Sequence, residues 1–352
     1  MPLTKSVDTG ERNFMRAIAI ALGTAIMAAT PAAAEYLVKE VGSFHVGGRT
    51  ETLSGLPTKE IVFSPGAPPI KVDPNGEFEV EQMYVQFVKQ AQPKSKLPLL
   101  LWHGGGLSGV TWETKPDGKP GWQQFFLNAG YDVYVSDAVE RGRASWARYP
   151  EIFKSEPFFR PKKEAWELFR IGPAYEVGGK REAFDGEQFP IEAFDQFAKQ
   201  GIPRWATNDA ATQKAYDALV QKVCPCIILV HSQGGNFGFT AALNAPDKVK
   251  ALITIEPSGA PDPAKADAAR LKGVPHLIVW GDYLDRVPVW SKLVVNPTKW
   301  AQALQAAGGK VDTFELPKMG IKGNTHMMMM DRNSDDIAKL VNDWIEKQGL
   351  GN

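Results

Sequence analysis

The sequence has no excess charge of either sign and contains little cysteine or histidine. Forty Lys and Arg balance forty Asp and Glu among 352 residues, so no field of one sign would attract nucleic acid or an anionic membrane surface. The two cysteines, Cys224 and Cys226, are too few for a disulfide-built scaffold and lack the spacing of a four-ligand zinc site. We therefore expect a fold that depends on its hydrophobic core, with no metal, no cofactor and no nucleic-acid partner.

Residues 1–34 have the pattern of an export signal. Arg12 and Arg16 precede an alanine-rich apolar run at residues 17–30, and small residues follow at 31–34. The run is too short and too weakly hydrophobic to span a membrane comfortably. We predict cleavage after about Ala34 and a periplasmic or secreted mature protein without a membrane span. The alternative is a retained N-terminal anchor.

The chain after residue 90 alternates between strand-like and helix-like segments. Apolar runs that look like buried strands occupy residues 97–102, 131–136, 226–230, 250–255 and 276–280, with a last one at 311–316. Apolar residues at helical spacing occupy residues 121–128, 210–223, 236–244, 298–307 and 335–348. This order predicts an α/β fold with a mostly parallel central sheet and helices on both faces, in which ligands bind beyond the carboxyl ends of the strands.

Two segments depart from this alternation. Residues 36–89 combine turn signals with alternating apolar and polar residues, which predicts antiparallel strands at the sheet edge. Residues 150–205 are rich in Phe, Trp, Pro and charge, and we expect an inserted cap there that walls the pocket; a surface excursion without a role in binding is the alternative. We therefore predict a single domain over residues 35–352, with a cap insertion at about 150–205.

A nucleophilic serine is predicted at the end of the strand at 226–230. His231-Ser-Gln-Gly-Gly235 lies between that strand and a helical stretch, which is the context of a nucleophile elbow around Ser232. The usual Gly-x-Ser-x-Gly pattern is changed, because Val230 replaces the first glycine. The small residues on the other side remain, so we interpret Ser232 as the nucleophile rather than as a simple helix cap.

A serine hydroxyl needs a base, and histidine has the pKa that suits neutral pH. His326 lies in a glycine-containing loop after the last predicted strand and before the last helix, where such a fold delivers its base. The other four histidines lie in predicted strands, at strand ends or beside Ser232: His45, His103, His231 and His276. Elimination therefore favours His326.

The carboxylate that orients this histidine has two candidate positions. Glu256 follows the strand at 250–255, directly after the elbow helix, whereas Asp282 and Asp285 follow the next strand. A later aspartate is the more general arrangement, but Glu256 projects at a strand end in the same layer as Ser232. The order of residues and strands alone does not decide between the two positions.

The oxyanion formed by serine attack needs preorganised N–H donors. Gly104 to Gly106 follow an early strand and His103, and the residue after the nucleophile is Gln233. We predict that the Gly105 and Gln233 amides form the oxyanion hole. A phosphate-binding loop is the alternative for the glycines, but the Lys-Ser/Thr of such a loop does not follow.

Several motifs together resemble one known family: His103-Gly-Gly-Gly-Leu-Ser-Gly-Val-Thr-Trp-Glu113, Pro116-Asp-Gly118, Asp137 with Arg141-Gly-Arg143, His231-Ser-Gln-Gly-Gly235 and Gly323-Asn-Thr-His-Met-Met-Met329. Over residues 36–346 the chain is similar to the esterase 713-like bacterial α/β-hydrolases. The resemblance implies an α/β-hydrolase fold and hydrolysis of carboxylic esters. It also implies that Glu256 is the acid of the triad, with Ser232 as nucleophile and His326 as base.

The chain departs from the family at one position. Adjacent, disulfide-bonded cysteines in the type member occupy the place of Gly105-Gly106, so that member's substrate preference does not transfer directly. We expect an exported serine esterase that acts on a small-molecule ester through a Ser-His-Glu triad and an acyl-enzyme. An acyltransferase with the same triad and a non-catalytic ligand-binding protein are the alternatives.

Two further questions concern assembly and the cysteines. The sequence leaves open whether the protein forms a homodimer. An extended Cys-x-Cys segment holds its side chains on opposite faces. We therefore expect Cys224 and Cys226 to be unlinked or only weakly linked.

Overall fold

A computed structural model describes residues 36–351, and the predicted export signal at 1–34 with its cleavage after about Ala34 lies outside the described residues. The strands of the described range are β1 (Val38–Leu53), β2 (Lys59–Ile61), β3 (Ile70–Val72), β4 (Gly76–Gln90), β5 (Leu99–Trp102), β6 (Val133–Asp137), β7 (Ala174–Tyr175), β8 (Arg181–Glu182), β9 (Cys226–His231), β10 (Val249–Ile255), β11 (His276–Trp280) and β12 (Val311–Glu315). Each predicted strand is present, with bounds that differ by at most a few residues, but the last one, β12, is a partly exposed edge strand and not a buried one.

The helices of the same range also follow the sequence pattern. They are α1 (Val110–Glu113), α2 (Trp122–Ala129), α3 (Lys162–Leu168), α4 (Phe194–Ala198), α5 (Asp209–Val223), α6 (Gly234–Asn244), α7 (Pro288–Leu293), α8 (Val295–Ala306) and α9 (Ser334–Lys347). Short 3-10 turns occur at Ile191–Ala193, Ala268–Leu271 and Leu316–Met319. Within residues 36–351, no helix combines the length and hydrophobicity that a membrane crossing requires.

Eight of the strands form the central sheet in the order β1-β4-β6-β5-β9-β10-β11-β12. The six strands from β6 to β12 in this order pair in parallel, whereas β4 pairs antiparallel with both β1 and β6. The mostly parallel sheet and the antiparallel N-terminal edge are therefore confirmed. The chain reverses its direction of winding between β5 and β9, and open α/β sheets bind ligands at such a point.

Alternate side chains of the parallel strands enter two hydrophobic cores. Leu99 and Leu101 of β5 pack with α2 and α9, whereas Leu100 and Trp102 pack with α5, α6 and α8. This follows from the two-residue side-chain period of a strand. Trp102 stacks on Tyr216 of α5 with ring centroids 3.9 Å apart. Helices thus cover both faces, which explains why the central strands β5, β9, β10 and β11 are mostly apolar.

Residues 138–208 lie between β6 and α5, and we call them the inserted segment. It contains α3, α4 and the β7–β8 pair. Trp166, Phe169, Phe194 and Phe197 of the segment join the core on the α2 and α9 side. These four aromatic residues are therefore packing residues, whereas Phe158 and Phe159 of the same segment are exposed. Phe169 also reaches the site described below.

The expectation for the two cysteines is wrong. Cys224 and Cys226 form a disulfide, with their Cα atoms 4.4 Å apart. Two residues of extended chain would separate these atoms by about 6.5–7 Å. Cys224 instead caps the end of α5, and the chain bends at Pro225 before Cys226 begins β9. The bend brings the two side chains to the same side.

Candidate active site

Ser232 lies at the sharp turn between β9 and α6. Its φ angle is 53°, in the left-handed region that a non-glycine residue rarely adopts. Its amide donates a hydrogen bond to the Ile255 carbonyl at 2.9 Å, which ties the turn to β10. A Cβ added at Gly235 would lie 2.8 Å from Pro257 Cβ, so the turn requires a small residue there. Val230 is buried in the strand below, where the usual glycine is not needed.

Glu256 occupies the equivalent position on the neighbouring strand. Ile255 of β10 pairs in parallel register with His231 of β9, so the next residue of each strand is Glu256 and Ser232 respectively. Glu256 also has a φ angle of 53°. Its side chain is completely buried, and its amide donates to the Val279 carbonyl at 2.9 Å. The two residues therefore leave the carboxyl edge of the sheet side by side.

His326 lies in the loop between β12 and α9 and contacts Glu256. Its Nδ1–H donates to Glu256 Oε2 at 3.2 Å. The loop is held by the buried carboxylate of Asp331, which accepts from the Thr325 amide at 2.9 Å and from Asn324 Nδ2 at 3.0 Å. Among residues 36–351 no hydrogen bond joins Ser232 Oγ to His326, and catalytic bonds of this kind often tighten only when substrate binds.

The alternative acids lie elsewhere in the structure. Asp282 Oδ2 accepts from the Gly323 amide at 3.0 Å, so this side chain supports the start of the histidine loop. Asp285 is exposed. Of the three carboxylates considered, Glu256 alone has a hydrogen bond to His326 within the described part of the chain.

The glycine loop after β5 packs against the elbow. A Cβ added at Gly104 would lie 2.9 Å from Ser232 Cβ, and one at Gly105 would lie 2.9 Å from Gln233 Oε1. Gly104 leaves no room for a side chain against the elbow, whereas the neighbour of Gly105 is the end of the Gln233 side chain, which can move. The predicted donor residues Gly105 and Gln233 are thus neighbours. Together with Ser232 they flank the point where the sheet reverses its winding, between β5 and β9.

Side chains behind this loop hold it in place. His103 Nδ1–H donates to the Gly104 carbonyl at 2.8 Å, and its Nε2 accepts from the Ala138 amide at 3.0 Å. Asp137 at the end of β6 accepts from the Gly109 amide at 2.6 Å and from Arg143 Nε at 2.7 Å. From the sequence, His103 and Asp137 were recognised only as parts of family motifs. Their hydrogen bonds to the glycine loop and its neighbours were not predicted.

Arg170 of the inserted segment was not predicted either. Its guanidinium is completely buried: Nη2 donates to Glu256 Oε1 at 2.6 Å, and Nε donates to the Asp282 carbonyl at 2.7 Å. It also lies over the Trp290 ring, 4.6 Å from the centroid. Glu256 therefore lies between Arg170 and His326, and no spacing rule in the sequence indicates this contact.

The same segment covers the histidine. The His326 amide donates to the Phe169 carbonyl at 2.9 Å, and the two rings lie 5.4 Å apart. Trp290 packs on the other side, with its ring 4.4 Å from that of His326. His231 Nε2–H donates to the His326 carbonyl at 2.9 Å. The histidine is thus fixed by contacts from three directions.

Burial and the neighbouring charges determine the protonation of this group. Burial alone would raise the pKa of Glu256, but the charges of Arg170 and His326 and their hydrogen bonds outweigh it, so the pKa lies below its usual value. Burial lowers the pKa of His326 to about 4, although Glu256 acts in the opposite direction. At neutral pH the imidazole is therefore neutral, with Nδ1 protonated toward Glu256 and Nε2 able to accept a proton.

The arrangement can carry out nucleophilic chemistry. Within residues 36–351, no cluster of His, Cys, Asp and Glu side chains has the composition and geometry of a metal site. A serine at a strained turn, a neutral histidine and a buried carboxylate suit acyl transfer through a general base.

Comparisons with known proteins agree with this chemistry. No protein-family model matches the chain. The solved structure of a novel bacterial esterase is 33% identical, with a TM-score of 0.76, and the match covers 89% of this chain and 97% of that one. A probable secreted lipase, phiG, of a fungus (Fungal sp. strain ATCC 74256) is 29% identical over 78% of this chain and 88% of its own length. The chain therefore belongs to the family of that bacterial esterase, a family of carboxylic-ester hydrolases with the α/β-hydrolase fold.

Proposed function

We propose that this protein is an exported serine esterase with Ser232 as nucleophile, His326 as general base and Glu256 as the acid that orients the base. The observation that carries the proposal is the 3.2 Å contact between His326 Nδ1 and Glu256 Oε2, made beside the elbow that holds Ser232. A carboxylate in this position keeps the imidazole in the tautomer whose Nε2 accepts the serine proton.

The reaction proceeds in two steps. His326 takes the proton of Ser232 Oγ as this oxygen attacks the ester carbonyl, and the Gly105 and Gln233 amides hold the resulting oxyanion. His326 then gives its proton to the leaving alcohol, and an acyl-enzyme remains on Ser232. Water, activated by the same histidine, attacks this acyl group, which releases the acid and restores the serine.

The cap and the cell location are parts of the same proposal. Residues 150–205 serve as the cap of a single domain that extends over residues 35–352, since Phe169 and Arg170 contact His326 and Glu256 directly. Export is supported by the signal-like pattern at residues 1–34 and by the fungal relative, which is described as secreted. The substrate is a small-molecule ester.

Replacement of the nucleophile tests the proposal. Ser232→Ala should reduce p-nitrophenyl ester hydrolysis by about 10⁴-fold or more, as loss of a triad serine does elsewhere. Ser258→Ala is the matched control, because Ser258 lies just after the acid and its amide donates to the Ser232 carbonyl at 3.1 Å. We expect this control to retain activity, since its side chain has no assigned role. Retention of most activity by Ser232→Ala would contradict the proposal.

A further inference from the structure

Three arginines of the inserted segment surround the glycine loop. A Cβ added at Gly105 would lie 3.4 Å from Arg204 Nη1, and one added at Gly106 would lie 3.9 Å from Arg160 Nε. Arg141 is almost fully buried behind the same loop, where it lines a small polar cavity with Gly104 and Gln233. The positive charges are therefore gathered at the loop that contacts Ser232, although the whole chain carries no net charge.

These arginines have few acceptors within the described range. Arg141 Nε and Nη1, Arg160 Nε and Arg204 Nε are buried there without a hydrogen-bond partner. Glu164 forms an ion pair with Arg160. Asp209 lies near Arg141, but its carboxylate accepts a hydrogen bond from Gln233 Nε2 at 3.3 Å. Buried guanidinium donors without acceptors are costly to leave unpaired. An anion from outside the chain would satisfy them.

The arginines also repel one another. Burial, the larger cause, and the charge of Arg204 lower the pKa of Arg141 to about 10. Burial and the charge of Arg204 also lower the pKa of Arg160, against the effect of Glu164. Like charges held close together indicate a place where a negative group is stabilised, and the fork of an arginine suits a carboxylate.

A mostly apolar cleft adjoins these arginines. The cleft is small and is lined by Gly106, Arg160, Phe169 and Phe197, among other residues. Phe169 also packs on His326, so one wall of the cleft contacts the candidate base. A short hydrocarbon chain on this wall would have its reacting end near the triad and its far end near the guanidinium groups.

We propose that the preferred substrates are esters that carry a second, anionic carboxylate a few carbon atoms from the ester carbonyl, with Arg204 and Arg160 binding that carboxylate and Arg141 supporting them from behind. This inference rests on the proposed function, since it assigns a substrate class to the same site.

A matched pair of esters tests the inference on the unmodified protein. Mono(4-nitrophenyl) glutarate carries the carboxylate, and 4-nitrophenyl 5-methylhexanoate has a neutral isopropyl group in its place. We expect kcat/KM to be about tenfold or more higher for the glutarate ester at low ionic strength, and the ratio to fall as salt screens the charges. Equal values for the two esters, or a preference for the neutral one, would overturn the inference.

Arginine variants locate the effect. Arg204→Met should lower the glutarate-to-methylhexanoate ratio of kcat/KM by about tenfold, whereas Arg204→Lys should keep much of it. The control Arg270→Met removes an exposed arginine from a remote 3-10 turn and should leave the ratio unchanged. An unaltered ratio in Arg204→Met would contradict the assignment. Hydrolysis that depends on Ser232 but shows no charge preference refutes this inference alone, whereas hydrolysis retained in Ser232→Ala refutes the proposed function.

Discussion

The carboxyl edge of the central sheet and the inserted segment contribute to the candidate site in different ways. The edge supplies Ser232 and Glu256, which follow neighbouring strands in register, and the loop after β12 adds His326. The inserted segment supplies the groups that surround them, including Arg170 and Phe169. The first set has the residue types that acyl transfer requires, whereas the second determines the charge and shape of the surroundings. Changes at the edge should therefore abolish turnover, and changes in the segment should alter its pH dependence and selectivity.

The largest predicted effect after loss of the nucleophile concerns the acid. Glu256→Gln keeps the shape of the side chain but removes the charge that stabilises His326 when it is protonated, so we expect kcat to fall by about 10³–10⁴-fold. Asp282→Asn is the matched control, because Asp282 accepts from the loop amide of Gly323 and has no hydrogen bond to His326. Steady-state kinetics of Glu256→Gln, Asp282→Asn and Asp285→Asn measure the loss in kcat. A large loss confined to Asp282→Asn or Asp285→Asn would give the role of the acid to the later position.

Arg170→Met should have the next largest effect, because it removes the positive charge beside Glu256. We expect kcat/KM to fall by about 10–100-fold and the free energy of unfolding to drop by about 3–5 kcal/mol, since the buried carboxylate loses its partner. The pH profile separates this positioning role from a merely structural one. His326 must be neutral to act, so the acid limb of the wild-type profile should lie near its pKa of about 4.

Arg170 lowers the pKa of both His326 and Glu256, so its removal should move that acid limb to higher pH. Arg170→Lys retains the positive charge and should partly restore the wild-type position of the limb. An acid limb that stays in place in Arg170→Met would show that the arginine acts only through packing.

A smaller effect is expected where the two regions meet, at Asp137. Asp137→Asn should lower kcat/KM by about tenfold and the free energy of unfolding by about 1–3 kcal/mol, because the Gly109 amide and Arg143 lose a charged acceptor. Burial raises the pKa of Asp137, but the hydrogen bonds from Arg143 outweigh this effect, so the net shift of the pKa is downward. The stabilising contribution is therefore present above the unfolded pKa of 3.8 and is lost as the pH falls through the lower folded pKa.

Denaturant unfolding of Asp137→Asn at several pH values checks this prediction. Glu113→Gln is the control, because Glu113 makes only an exposed 3.3 Å contact with the same arginine, worth about 0–1 kcal/mol. Equal stability losses in the two variants would contradict the role assigned to Asp137.

Part of the fold and of the candidate site can be predicted from the sequence alone. Strands, helices and the elbow follow local periodicity, so the sheet and the positions of Ser232 and His326 could be predicted without contacts. Spacing could not choose between Glu256 and Asp282, because both follow strands, and only the family resemblance favoured the glutamate. Arg170 lies 86 residues from Glu256 in a segment without periodicity, and its contact depends on tertiary packing. The disulfide was missed because the bend at Pro225 is not an extended strand.

The smallest predicted effect lies outside both regions, at that disulfide. The double variant Cys224→Ser with Cys226→Ser removes a bond that closes a loop with a sequence separation of 2. Because so short a loop restricts the unfolded chain little, we expect a loss of at most about 2 kcal/mol in unfolding free energy and no change in kcat. Thermal unfolding and esterase assays of this variant measure both. A large loss of activity would show that the disulfide is needed to hold β9, and with it Ser232, in place.

The role of Ser232 as nucleophile is tested most directly by labelling the active protein with a fluorophosphonate and identifying the modified peptide by mass spectrometry. We expect one equivalent of label on Ser232, loss of esterase activity in proportion to labelling, and no labelling in Ser232→Ala. Complete inactivation with the label on any other residue would contradict this role.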